Sequence, residues 1–136
     1  MINKKNKSLL IIIPARLKSQ RLSKKLLRNI KGIPMIIRVG HAAIQTRLGD
    51  VFVATDSIKI FNLCKKNDIN ALMTPTNIKS GTDRVYKAYK TLKKKYDLIV
   101  NLQGDLPIFK SELVKKTANL FLDDKTEIGS AVCELE

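Results

Sequence analysis

Residues 9–13 read Leu-Leu-Ile-Ile-Ile, five aliphatic side chains in a row with no polar alternation, and the run ends on Pro14. A strand that is apolar on both faces must be covered on both faces. The stretch therefore predicts a central strand of a parallel sheet, with helices above and below it. Proline has no N–H to donate, so pairing on that side stops at Pro14. The next residues are basic: Arg16, Arg21 and Lys25 all fall within residues 14–25, before any helical pattern begins. Open α/β sheets place their ligands beyond the C-terminal ends of the strands. A cationic loop in that position suits a phosphate; the alternative is a basic surface loop that holds nothing.

The remainder of the chain alternates between helical and extended patterns. Residues 34–48 carry Met35, Ile36, Val39, Ala42, Ala43 and Leu48 around a basic face, predicting an amphipathic helix with Pro34 at its start. Gly49-Asp50 turns the chain into a short strand over residues 51–55. Ser57 caps a helix that runs to about Lys66, and residues 70–73 make a third strand. Residues 74–81 are a loop with Pro75, Asn77 and Gly81 as breakers. Thr82 or Asp83 opens a helix to about Lys95, with Lys93, Lys94 and Lys95 at the negative end of its dipole. Residues 98–102 are a fourth strand, Ser111 caps a helix containing Leu113, Val114, Ala118, Leu120 and Phe121, and residues 128–133 are a fifth strand. Strands alternating with helices argue for right-handed βαβ units and one α/β domain over residues 1–136.

Composition narrows the possible functions. The net charge is +14, yet the 20 Lys and 6 Arg that make up the 26 cations are spread over every predicted helix. Aromatic residues are only 5% of the chain, too few and too scattered to stack bases. No nucleic-acid partner is expected, and the charge reads instead as attraction of small polyanions. No apolar run approaches the roughly 20 residues that cross a bilayer, so no membrane partner and a cytoplasmic location are expected. Cys64 and Cys133 are too far apart for a CxxC metal site or a disulfide framework and read as buried apolar residues. His41, the single histidine, lies in a predicted helix and reads as structural. No GxxxxGK[ST] or GxGxxG run is present.

Four polar segments follow the predicted strands: residues 14–25, Thr55-Asp56, residues 74–84 and residues 103–107. In the predicted fold all four face one crevice. Alone, Asp56 reads as a cap or turn residue, and Asp105 is balanced between a metal ligand and a turn-stabilising residue after Gly104. In order and spacing, however, PARLKSQRLSKKLL, ATDS, SGTDR and NLQGDLP resemble the sugar-activating cytidylyltransferases, most closely the branch acting on 3-deoxy-manno-octulosonate (Kdo). SGTDR is what favours that branch over the sialic-acid one.

The resemblance implies a Rossmann-like nucleotidyltransferase fold of the nucleotide-diphospho-sugar transferase kind, a mainly parallel sheet with flanking helices. It implies transfer of CMP from CTP to Kdo with release of pyrophosphate, for lipopolysaccharide biosynthesis, with Mg²⁺ as cofactor. By resemblance, Arg16 and Lys25 are the catalytic cations on the phosphates, helped by backbone N–H groups around Ala15 and Arg16. Arg21 is a weaker candidate. Ser80 and Gly81 line the cytosine and ribose, with Ala54, Thr55 and Asp56 beside them. Arg84 either orients that loop or meets the substrate carboxylate, Gln103 faces the sugar acid, and Asp105 holds the metal. The family's usual RLPGKPL is here Arg21-Leu22-Ser23-Lys24-Lys25-Leu26-Leu27, and its QGDEP has Leu106 in place of the acidic residue. Because the resemblance matches about the first half of the family's length, a truncated or split form is expected, and the partners expected are a homodimer or a second chain that supplies the missing C-terminal half. The alternatives are an inactive nucleotide-binding remnant and a cytidylyltransferase for another sugar acid.

Overall fold

The computed structural model describes residues 7–16, 26–104, 111–120 and 125. Along the chain come β1 (Leu9–Ala15), β2 (Asn29–Ile30), β3 (Ile33–Pro34), α1 (Met35–Gln45), β4 (Asp50–Thr55), α2 (Ile58–Lys66), β5 (Ala71–Met73), α3 (Gly81–Thr91), β6 (Leu98–Asn101) and α4 (Ser111–Asn119). Among the described residues four strands form one sheet in the order β5-β4-β1-β6, all parallel. The order steps outward from β1 to β4 to β5, then reverses and adds β6 on the other side. The reversal point lies between β1 and β6, and in open α/β sheets ligands bind at the C-terminal strand ends beside such a point.

The aliphatic run is the middle of this sheet. Leu10, Ile11, Ile12 and Ile13 are 0% exposed, and burying five such side chains stabilises the fold by on the order of 10 kcal/mol before chain entropy is counted. Leu9, Ile11, Ile13 and Ala15 face a core shared with α1, α2 and Ala118 of α4. Leu10 and Ile12 face the opposite way, onto Val85 and Ala88 of α3. Pro14 divides the two edges of β1. Pairing with β6 stops at Ile12↔Asn101, followed by the Leu102 N–H donating to the Ile12 carbonyl at 3.0 Å. Pairing with β4 continues through Pro14↔Ala54 to Ala15↔Thr55. Backbone groups alternate sides along a strand, so the donor that proline lacks is on the β6 edge, where the ladder has already ended.

Several boundaries differ from those expected. α1 stops at Gln45 rather than Leu48, because the Thr46 hydroxyl donates to the Ala43 carbonyl at 2.6 Å and Arg47 turns left-handed at φ 54°. α3 begins one residue earlier than expected: Ser80 is the cap, its Oγ accepting from the Asp83 N–H at 3.0 Å. It ends at Thr91, after which Leu92 is extended and packs with Tyr96 on the second core. Lys93, Lys94 and Lys95 therefore lie past the helix, and Lys90 is the cation of its last turn. The β2–β3 hairpin was not expected; its turn residues Lys31 and Gly32 both have positive φ, 52° and 83°. Arg38 of α1 holds this hairpin through two guanidinium donors on the Ile30 carbonyl. Gly49 is required by space: a Cβ there would stand 1.9 Å from the Leu9 carbonyl oxygen. The expected fifth strand, residues 128–133, lies outside the described residues.

Candidate functional site

The C-terminal end of β1 is enclosed on two sides by glycines of neighbouring segments. A Cβ on Gly81, the first residue of α3, would be 3.5 Å from Pro14 Cγ. A Cβ on Gly104, beyond β6, would be 3.4 Å from the Pro14 carbonyl oxygen and 3.1 Å from Leu26 Cδ2. The segments after β1, β5 and β6 thus meet at Pro14. Lys25, Arg21 and Asp105 lie outside the described residues, but Leu26 and Gly104, the neighbours of Lys25 and Asp105 in sequence, are in contact range of each other.

Arg16 leaves this strand end half-buried and donates Nη1 to the Lys79 carbonyl at 3.3 Å. Its Nε is buried and has no hydrogen-bond partner among the described residues. A buried N–H without an acceptor is costly, by about 1–3 kcal/mol, and such groups are uncommon in folded proteins. Arg84 shows the opposite condition. Its guanidinium donates Nη1 to Thr74 Oγ1 and, at 3.2 Å, to the Pro75 carbonyl, and donates Nη2 to the Ile78 carbonyl at 3.2 Å. Nη2 also stands 3.7 Å from Asp56 Oδ2, with the two side chains 1% and 3% exposed. Burial lowers the Arg84 pKa from its ordinary value, Asp56 opposes that shift, and the nearby Arg16 cation adds to it.

These contacts sort the expected residues. Of the two roles expected for Arg84, only loop orientation fits its surroundings, since a side chain this buried has no face left for a substrate carboxylate. Ala15, Ala54 and Thr55 are 0% exposed, because β1 and β4 are central strands covered on both faces. Ala54 and Thr55, expected beside Ser80 and Gly81, thus have sealed side chains and present only backbone at the strand end. Thr55 instead carries the neighbouring loops: its Oγ1 accepts from the Ser57 N–H at 3.1 Å and its carbonyl accepts from the Thr74 N–H at 2.8 Å. Asp56, expected beside the nucleoside, is the partner of Arg84. Ser80 and Gly81 are exposed at the α3 N-terminus, and Gln103 is exposed, its amide 3.5 Å from Asn101 Oδ1.

Sequence reasoning did not find the Arg16–Lys79 contact or the Arg84–Asp56 pair. A signal for the second was present: Arg84 falls in the apolar stripe of α3 with Val85 and Ala88, so the helix points it inward. Among the described residues no group of three His, Cys, Asp or Glu could hold a metal. His41 lies on α1, exposed, with Nε2 2.9 Å from the Asn67 carbonyl, a tie to the end of α2. No described helix is long and apolar enough to cross a membrane.

Residues 10–132 match the cytidylyltransferase family. The chain is 40% identical over 126 residues to a 3-deoxy-manno-octulosonate cytidylyltransferase of Neisseria meningitidis serogroup C, covering 92% of this chain and 50% of the relative. It is 38% identical over 125 residues to the protein of that name from Francisella tularensis subsp. holarctica, covering 91% and 50%. Among solved structures it resembles a CMP:2-keto-3-deoxy-manno-octonic acid synthetase complexed with CTP. That likeness has a TM-score of 0.79 at 35% identity, over 86% of this chain and 48% of the other. The chain spans about half the length of the curated relatives it matches.

Proposed function

Because the chain belongs to the cytidylyltransferase family, we propose that it forms the CTP-binding half of an enzyme that transfers CMP to Kdo and releases pyrophosphate, serving lipopolysaccharide synthesis in the cytoplasm. The observation that carries the reading is the Nε of Arg16 at the C-terminal end of the central strand, buried and without a partner among the described residues. A phosphate oxygen supplies the acceptor that this N–H lacks, and the guanidinium spreads its donors in the plane that phosphate oxygens match.

In this reading Arg16 and Lys25 hold the triphosphate, with backbone N–H groups near Ala15 and Arg16 completing the cradle. Ser80 and Gly81 face the nucleoside at the α3 N-terminus, and Asp56, Ala54 and Thr55 act from beneath by fixing the loops. Gln103, exposed beyond β6, faces the acceptor sugar acid. Phosphoryl transfer depends mainly on positioning and charge stabilisation, and this half supplies both for the phosphates. Asp105 is the proposed ligand for Mg²⁺, which when bound would neutralise charge on the phosphates. Asp56 stands beside Arg84, and phosphate oxygens would complete the coordination. The acceptor side of the site would come from the half of the relatives' length that this chain does not cover.

Calorimetric titration with CTP, against ATP and UTP, tests the nucleotide half. Selective CTP binding is expected, with pyrophosphate released on adding Kdo only when a chain carrying the relatives' remaining half is also present. Equal affinity for ATP and CTP would sink the reading.

A further inference from the structure

Two arginines from different elements hold the same loop. Arg16, at the end of β1, donates to the Lys79 carbonyl. Arg84, in the first turn of α3, forks onto Thr74, Pro75 and Ile78. Among the described residues, backbone hydrogen bonds pin only the ends of this loop: the Thr74 N–H to the Thr55 carbonyl at 2.8 Å, and the Arg84 N–H to the Ser80 carbonyl at 3.2 Å. Residues 75–79 belong to no helix or strand. The position of the Lys79 carbonyl therefore depends on the Arg84 fork, which ties down the residue directly before it. Because the Nε of Arg16 has no partner among the described residues, the bond from its Nη1 to Lys79 is the contact there that orients its guanidinium.

We propose that Arg84 is a positioning residue for Arg16: anchored on Asp56, it fixes the 74–78 backbone and the Lys79 carbonyl, which aims the Arg16 guanidinium at an anion that Arg84 never touches. The proposal rests on the reading of Arg16 as a phosphate contact. A lysine at position 84 keeps the charge opposite Asp56 but loses the planar fork that reaches several acceptors at once. Asp56 is the counter-ion that lets two guanidinium groups share this space.

The test uses the ¹⁵N-arginine-labelled chain, with the Arg16 Nε–H resonance assigned by its loss in Arg16→Lys. In Arg84→Lys that resonance is expected to shift and the amides of residues 75–79 to exchange faster, with no ligand present. Pyrophosphate affinity is expected to fall roughly fivefold or more. In the Arg16→Lys background the same Arg84→Lys change should alter it less than about twofold, the non-additivity expected of a residue acting through another. An unchanged Arg16 resonance in a folded Arg84→Lys protein, or additive losses in the cycle, overturns the proposal. Should Arg84→Lys fail to fold, Asp56→Asn keeps the fork's donors and is expected to move the Arg16 resonance in the same direction; no movement overturns it equally. If the parent chain binds no pyrophosphate, the phosphate reading of Arg16 falls, while the ligand-free resonance still decides whether Arg84 positions it.

Discussion

A buried ionic group persists only where the surrounding atoms replace the water it has lost, and Arg84 meets that requirement with a hydroxyl, two carbonyls and a carboxylate. Among the described residues Arg16 does not, since its buried Nε meets no acceptor there. Cys64 illustrates the neutral solution. It is 0% exposed, and burial pushes its thiol up to about 11 from an ordinary 9.0, with Lys65 pulling weakly the other way. The folded chain keeps a proton that the unfolded chain releases, so this contribution to stability is whole below pH 9.0 and is lost between about 9 and 11. Peptide-mapped alkylation with iodoacetamide at pH 8 should leave Cys64 unmodified in the native protein and label it in denaturant. Labelling at equal rates in both would contradict its burial.

The helices are held at their ends by single side chains, and these are where local sequence and tertiary packing compete. Ser57 Oγ accepts from the Ile60 N–H at 3.3 Å at the start of α2, and both residues are buried. Ser57→Ala should cost about 1 kcal/mol in denaturant unfolding, with no change in the Arg16–Lys79 loop; a cost near zero would show that the cap contributes nothing there. The start of α2 was legible because Ser57 is a short polar side chain at the entry to an apolar stripe, whereas the Ser80 cap of α3 was missed in favour of Thr82 or Asp83. Ends were less legible. α1 and α3 stop where Thr46 and Thr91 donate to the Ala43 and Ala88 carbonyls at 2.6 and 2.7 Å. Leu48 and Leu92 beyond them pack on the sheet, and the apolar residues that looked like continuing helix are core contacts of the following loop.

Across the molecule the two ends of the sheet are built differently. The C-terminal ends of the strands carry Arg16, Arg84 and their loop. At the other end, Ser8 and Asp97 tie the starts of β1 and β6 together, and Asp50 at the start of β4 accepts from Tyr96 Oη at 2.5 Å and Lys94 Nζ at 3.0 Å. The Tyr96 hydrogen bond, then Lys94, hold Asp50 below its ordinary 3.8. Burial, then Asp50, push Tyr96 up to about 12 from 10.0. The Asp50 contribution is therefore present above pH 3.8 and is lost as pH falls through its lower folded value. That of Tyr96 is present below pH 10 and is lost between about 10 and 12. Asp50→Asn should flatten the acid loss of melting temperature and only reduce the alkaline one, because burial is the larger cause at Tyr96; an unchanged acid limb would mean that the tie carries no stability. The parallel sheet, its central strand, the entry of α2 and the family were all determined by the sequence alone, since aliphatic runs, caps and ordered motifs are local or ordinal signals. Only the tertiary structure decided that Arg84 and Asp56 face each other, that Ala54 and Thr55 are sealed off, and that Lys79 meets Arg16. Those contacts join residues from separate βα units, and their partners are selected by how the layers pack, which no local pattern encodes.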